Sequence, residues 1–290
     1  MSIFVVAGAT GHVGSLVARE LLAKGHKVRA IVRSPDKGKV LKGQGAELLT
    51  GELSDAGFLT GALRGADGAF LLVPPPPHDS TDVRGYQEQV SRAEVQAVAA
   101  SGIRHVVLLS SWGAEQPAGT GPIVALHHLE EALEKTRAVS TFLRAGSFTE
   151  NLLALLPAAK NQGVLPSFFP PELKVASVAT RDIAPVVVRA LLSPPAATEV
   201  VYVMGTHEYS PIDHAAYLSK KLGKEVKLLN LPVSAASQAM QQGGVGASLA
   251  SLYQEMYEGA MKGLLTVVPG HRVERVPSTL EQALDPYVAG

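Results

Sequence analysis

Three glycines, Gly8, Gly11 and Gly14, stand in the stretch GATGHVG near the start of the chain, spaced G-x-x-G-x-x-G. Residues without side chains at such intervals let a backbone turn sharply and approach a charged ligand closely. The stretch follows a β-branched run, IFVVAGA (3–9), and opens a helical pattern, HVGSLVARELLAKG (12–25). In that context the spacing predicts a dinucleotide site. The first glycine makes the turn, the second admits a pyrophosphate to the backbone, and the third lets helix and strand pack closely. The N–H groups of Thr10, Gly11, His12 and Val13 then face the anion with the helix dipole behind them.

The ribose end poses a second chemical question. A free 2′-hydroxyl calls for an acid about 20 residues further on. This chain has Arg33 there instead, followed by Lys37. An acid would repel a 2′-phosphate, whereas a guanidinium grips it through charge-assisted bonds of roughly 1.5–3 kcal/mol. That is about a 10- to 100-fold preference for NADPH, with NADH the weaker ligand.

These groups need a scaffold, and the first half of the chain alternates strand and helix signals. Strands are predicted at 3–9, 27–33, 46–51, 68–73, 105–111 and 139–144. The fourth is halted by Pro74 to Pro77. Helices are predicted between the strands, one capped by Asp55 and one running from about Val83 to Ala100. Six strands with short helical crossovers describe an α/β fold with a doubly wound parallel sheet. Beyond Arg144 the regularity fades. GVLPSFFPPEL (163–173) reads as loop, and RDIAPVVVRALL (181–192) as a helix whose Pro185 falls in a tolerant first turn. EVVYVMG (199–205) is a further strand, and 210–222, 233–242 and 247–263 are helical. We divide the chain into a dinucleotide-binding half, 1–155, and a smaller, mostly helical substrate-binding lobe, 156–290, interleaved with the sheet.

The 290 residues are 46% hydrophobic, with Lys+Arg and Asp+Glu equal at 26 each, so no basic field exists to draw nucleic acid. Without cysteine there is no thiol nucleophile and no disulfide frame. No apolar run approaches the ~18 residues of a membrane span, and a cytoplasmic location is expected. Homo-oligomerisation is left open.

The glycine stretch resembles that of atypical short-chain dehydrogenases, specifically the NmrA-like family. IVRSPDK after the second strand, LLSSWGA at the fifth, TFLRAGSFTENLL (141–153) at the sixth and VATRDIA (178–184) resemble it too. The resemblance implies a Rossmann sheet binding NADPH, with Gly8, Thr10, Gly11, His12 and Val13 at the pyrophosphate and Arg33 and Lys37 at the 2′-phosphate. It places Val73 and Pro74 along the nicotinamide side, Ser110 and Ser111 beneath the ring, and Gly146 to Phe148 closing the pocket. Asn151 would tie backbone near that pocket. The family includes reductases of quinones, azo compounds, triphenylmethane dyes and phenylpropanoids, and also redox sensors that bind the dinucleotide without turnover.

Other short-chain dehydrogenases carry Tyr-x-x-x-Lys on the helix after the fifth strand. Here that helix reads IVALHHLEEALEKT and has no tyrosine, and Leu126 stands where many NmrA-like reductases keep a lysine. Tyr217 and Lys221 have the spacing but lie in the accessory lobe. His127 lies beside the apolar face of Leu126, Leu129 and Leu133 and is the one weak catalytic candidate. It forms no metal site with His128 on this reading, because adjacent side chains point apart and no third ligand is suggested. Neither metal nor flavin is called for. A ketone needs a proton as hydride arrives; a quinone does not, since it leaves a phenolate whose conjugate pKa is near 10. Two readings follow: an NADPH-dependent reductase of conjugated aromatic acceptors, or a dinucleotide sensor with little turnover. Ser111, Trp112, Phe148, Phe168 and Phe169 are the candidates to line an acceptor pocket.

Overall fold

The computed structural model describes residues 1–76 and 80–288; Pro77, the last of the prolines expected to halt the fourth strand, lies outside them. The first half alternates as the sequence pattern dictates: β1 (Ile3–Val6), α1 (His12–Ala23), β2 (Lys27–Val32), α2 (Pro35–Gly43), β3 (Glu47–Thr50) and α3 (Ala56–Leu63). β4 (Gly68–Leu72), α4 (Val83–Ser101), β5 (His105–Ser111), α5 (Val124–Glu134) and β6 (Val139–Ala145) complete it. Asp55 does cap α3, its carboxylate accepting from the Phe58 N–H at 2.9 Å.

The rest of the chain contributes β7 (Ser147–Phe148), α6 (Leu156–Gln162), β8 (Val164–Ser167), β9 (Val175–Val178), α7 (Thr180–Leu192), β10 (Glu199–Gly205) and β11 (Glu208–Tyr209). It ends with α8 (Pro211–Leu222), β12 (Lys227–Asn230), α9 (Ala236–Gln242), α10 (Ala247–Met261), β13 (Arg272–Val276) and α11 (Leu280–Val288).

One sheet of eight strands runs β13-β10-β6-β5-β4-β1-β2-β3, parallel at every pairing. The chain moves outward from β1 through β3, returns at β4 and then moves the other way. The crevice at the β1/β4 carboxyl ends is therefore the switch point, where open α/β sheets take ligands. Both faces are covered. On one, Phe4, Val6, Val17 and Leu21 pack with Ile183 and Val187 of α7. On the other, Val5, Leu71, Leu108 and Phe142 pack with Leu63, Val90, Leu129 and Leu133. A third core joins Leu152 and Leu165 to α8 and α11 through Tyr217, Leu218 and Leu284.

Three expectations are corrected. The main sheet has eight strands rather than six, because β10 and β13 extend it beyond β6. The sequence of β13, RVERV, has three charged residues in five and offers no apolar run. As an edge strand it keeps those charges outward, Arg272 on Glu199 at 3.0 Å and Glu274 on Arg189. The stretch 163–173 is not all loop: Val164–Ser167 pairs in parallel with β12, and Pro166 is tolerated because the pair is only two strands wide. Pro185 sits inside α7, which begins at Thr180, and not in its first turn. Its missing N–H leaves the Arg181 carbonyl without a helical partner. Among the described residues, no helix is long and apolar enough to cross a membrane.

Leu129, wholly buried where α5 meets the sheet, measures this packing. Leu129→Ala should lower unfolding free energy by about 2–5 kcal/mol in urea titration; a loss under about 1 kcal/mol would mean the α5 face collapses around the gap.

Candidate active site

The glycine turn is built as a cradle. Gly8 has φ +58°, a left-handed conformation, and a Cβ there would press on Leu72 at 2.9 Å. A Cβ on Gly14 would run into the Gly8 carbonyl, so the third glycine is what lets α1 seat on β1. The Gly11 N–H is not free: it donates to the Gly8 carbonyl at 2.8 Å. That removes one of the four donors assigned to the anion. α1 begins with no side-chain cap and no acid in its first turn, so its leading N–H groups at His12 and Val13 keep their donor capacity. Thr10, Gly11 and His12 are exposed, and Val13 is buried. A cleft of about 340 Å³ opens beside them, lined also by Ser15, Arg19 and Arg181.

Arg33 and Lys37 stand just past the end of β2, both exposed and neither in an ion pair among the described residues. Tyr86 of α4 lies within electrostatic reach of Arg33. Burial raises the Tyr86 pKa, Arg33 lowers it, and Glu52 and Glu94 raise it again. Val73 and Pro74 follow β4 at the switch point, half-buried. The cradle and the unpaired guanidinium fit a phosphorylated dinucleotide.

At the carboxyl end of β5 the two serines differ. Ser111 donates to the Trp112 carbonyl at 3.0 Å. Ser110 turns its hydroxyl inward, to the Glu130 carboxylate. Glu130, buried on α5, is gripped by Arg144 from the end of β6, whose Nη2 approaches it at 2.6 Å. Arg144 Nη1 reaches Glu115 at 3.2 Å and the Tyr202 hydroxyl at 3.1 Å, and that hydroxyl donates to Glu115 at 3.3 Å. Burial opposes the charge on Arg144, but bonds to Glu130 and Tyr202 more than offset it, and the guanidinium stays protonated. One Glu115 oxygen is buried without a hydrogen bond. No sequence reading found this network. Its only trace was charged residues at positions where strand and helix patterns demanded burial.

Gly146 lies where a Cβ would crowd the Ala176 carbonyl at 3.0 Å and Met204 at 3.2 Å. Phe148 pairs with Val178 and leans on the α1/α7 core. Trp112 packs against the buried cluster of Ala176, Tyr202 and Met204, so a large part of it is core. Phe168 is not beside Trp112 in that cluster; it meets Tyr257 of α10. Asn151 is exposed with no side-chain hydrogen bond among the described residues, and its neighbour Glu150 does the tying expected of it, accepting from the Thr180 N–H at 2.9 Å and its hydroxyl at 2.7 Å.

His127 is partly buried and held by Nδ1 to the Ala114 carbonyl at 2.8 Å, so Nδ1 carries the proton. Its Nε2 lies 3.6 Å from Glu131. The expectation that His127 and His128 point apart with no third ligand nearby is corrected: their rings are 5.2 Å apart, and with Glu131 their ligand atoms lie within 4.8 Å of one another. The helix separates the two residues by one position, but free rotation about χ1 lets exposed His128 swing toward its neighbour. Tyr217 and Lys221 both bond Asp285, at 3.0 and 2.6 Å, and so serve to fasten α8 to α11.

Comparison with known proteins places the chain in a family. The NmrA-like family model matches residues 2–282. The chain belongs to the NmrA-like family. An NAD(P)H azoreductase of Xenophilus azovorans is 30% identical over 273 residues, 91% of each chain. Quinone oxidoreductase 2 of Escherichia coli K12 is 29% identical over 263 residues, 89% of this chain and 88% of its own. The crystal structure of the Escherichia coli NADPH-dependent quinone oxidoreductase complexed with NADPH superposes with a TM-score of 0.81 at 28% identity, covering 98% of this chain and 99% of that one.

Two measurements probe the site. Arg33→Ala should weaken NADPH binding about 10-fold or more and leave NADH binding nearly unchanged; equal losses in calorimetry would remove Arg33 from the 2′-phosphate. Arg144→Met strands two carboxylates and should cost about 3–5 kcal/mol in urea unfolding, with most of it recovered when Glu130→Leu and Glu115→Gln are added. No recovery would show that the ions hold the fold by more than mutual charge.

Proposed function

We propose that this protein is an NADPH-dependent reductase that delivers hydride to a flat, conjugated aromatic acceptor of the quinone or azo type. The observation that carries the reading is a glycine cradle with an unpaired Arg33 at its ribose end, joined to a site that lacks a phenol–ammonium acid pair. The azoreductase and quinone oxidoreductase relatives, aligned over about nine-tenths of the chain, support it.

When bound, NADPH supplies the hydride. The leading N–H groups of α1 hold its pyrophosphate, and Arg33 and Lys37 take the 2′-phosphate. Val73, Pro74, Ser111, Gly146 and Phe148 bound the nicotinamide end. Ser110 orients β5 from below through Glu130 and has turned its hydroxyl from the cleft. No ionisable group on α5 replaces the missing tyrosine: Leu126 is apolar, and both nitrogens of His127 face partners on its own side of the fold. Acceptors whose reduced anion is stabilised by conjugation need no such group, because water protonates a phenolate of pKa near 10 readily. Catalysis is then positioning of two flat rings against each other, with solvent supplying the proton.

The test follows the near-ultraviolet absorbance of NADPH, then NADH, with a panel of quinones and azo dyes and a simple ketone as control. Decay with quinone or dye, faster with NADPH and absent with the ketone, is expected. Tight NADPH binding with no decay for any acceptor would replace this reading with that of a dinucleotide sensor.

A further inference from the structure

The acceptor side of the site has an element that the glycine motif does not specify. Helix α10 is clamped to the loops that follow β4 and β5. A Cβ on Gly259 would collide with the Gly119 carbonyl, and one on Gly121 with the Leu252 carbonyl. Glu255 accepts from the Gly119 N–H at 3.1 Å and pairs with Arg84 at the start of α4. Ser248 accepts from the Val83 N–H at 3.1 Å. Past α10, Val267 and Val268 pack on the same Ala176, Tyr202 and Met204 cluster as Trp112. The helix thus crosses the carboxyl edge of the sheet, the edge that carries Ser111 and Trp112.

The residues that dock α10, Leu252, Glu255 and Gly259, share one face at helical spacing. Tyr253 and Tyr257 share another, one turn apart. Tyr257 meets Phe168 with ring centroids 5.3 Å apart and Phe169 edge-on at 5.0 Å. The backbone of Phe169 is held in place: its N–H donates to Ser167 at 3.1 Å, and its carbonyl accepts from Asn230 at 2.7 Å. Neither tyrosine hydroxyl has a hydrogen-bond partner among the described residues. Burial pushes the Tyr257 pKa up to about 12, with a further rise from Tyr253, so the phenol stays a neutral donor at any working pH. Tyr257 is half-buried, and its hydroxyl is not among the buried polar atoms left without a partner, so it stays open to an incoming group. A ligand carrying an acceptor atom and packed on the ring can take that hydrogen bond.

We propose that Tyr257, with Phe168 and Phe169, forms the wall on which the acceptor packs, and that its hydroxyl donates a hydrogen bond to a quinone carbonyl. This rests on the reductase reading and deepens it: the preferred acceptor is a flat ring system bearing a carbonyl oxygen, and Tyr257 is a specificity-determining residue. It takes no part in binding NADPH.

Calorimetry of 1,4-naphthoquinone with NADP⁺-saturated protein, paired with steady-state kinetics, tests it. Tyr257→Phe keeps the ring and loses the donor; quinone Kd and KM should rise about 3- to 10-fold. Tyr257→Ala loses both, and the rise should exceed about 10-fold. In both variants the NADP⁺ affinity stays within about two-fold and kcat falls less than KM rises. Quinone affinity unchanged in both variants overturns the proposal. So does an equal loss of NADP⁺ affinity, which would mark Tyr257 as a packing residue. Since Tyr257→Phe is nearly isosteric, it decides the hydrogen bond even if Tyr257→Ala fails to fold. Wild-type protein that oxidises NADPH with quinones while the variants match it fails the aromatic wall alone; wild-type protein that neither binds nor reduces any quinone fails both readings.

Discussion

Arg144 holds the working edge of this molecule together. One guanidinium at the end of β6 bonds a carboxylate on α5, another in the loop after β5, and a phenol on β10. Through Glu130 it also fixes the hydroxyl of Ser110. Four segments far apart in sequence are thereby set in register where the sheet meets its ligand. A buried cluster of two carboxylates and one cation gains little net stability over an apolar one, because desolvation consumes most of the attraction. Its value is geometric: a planar fork accepts bidentate partners in few orientations, whereas apolar side chains could slide. The outlying strand β10 is drawn into the same frame through Tyr202, so the lobe beyond residue 145 is not free to choose its own position over the site.

The two ends of the site rest on different physics, and that decides what could be read from the sequence. The dinucleotide end is local. Gly8, Gly11 and Gly14 act within one turn, through φ and through the absence of Cβ, and Arg33 lies at the end of the adjacent strand. Such features survive in a linear string. Of the eight parallel strands, β10 is legible as a strand though not as part of the main sheet, whereas β13 carries charges outward as an edge strand and shows no apolar run. The Arg144 network was invisible for the opposite reason. Its members come from residues 110, 115, 130, 144 and 202, and no spacing rule connects them. Glu150 and Asn151 show the same limit on a smaller scale. Both sit on one short helical turn, and only the position of Thr180 decides which of them is used.

The proposed acceptor wall comes from late in the chain, from the β8–β9 connection and α10. It is less constrained than the cofactor end. The glycine turn cannot change without collision, but α10 could present other side chains from the same docked face. A cofactor fixed by backbone and an acceptor fixed by side chains is an arrangement that lets one scaffold serve different acceptors. The similarity to both an azoreductase and a quinone oxidoreductase is consistent with that division of labour.

The division also bears on the missing acid. A Tyr–Lys pair beside β5 would need room for a phenol and an ammonium next to Ser110, but Glu130 and Arg144 already occupy the interior there. Any tyrosine on α5 would have to share its surroundings with a buried carboxylate. That would raise the phenol pKa and weaken it as an acid. The network that aligns the edge of the sheet and proton delivery from α5 are therefore in competition. This chain has resolved the competition toward alignment, and the cost falls on substrates whose anions are strongly basic. Flat conjugated acceptors escape that cost, which is why the proposed acceptor class and the buried guanidinium belong to one argument.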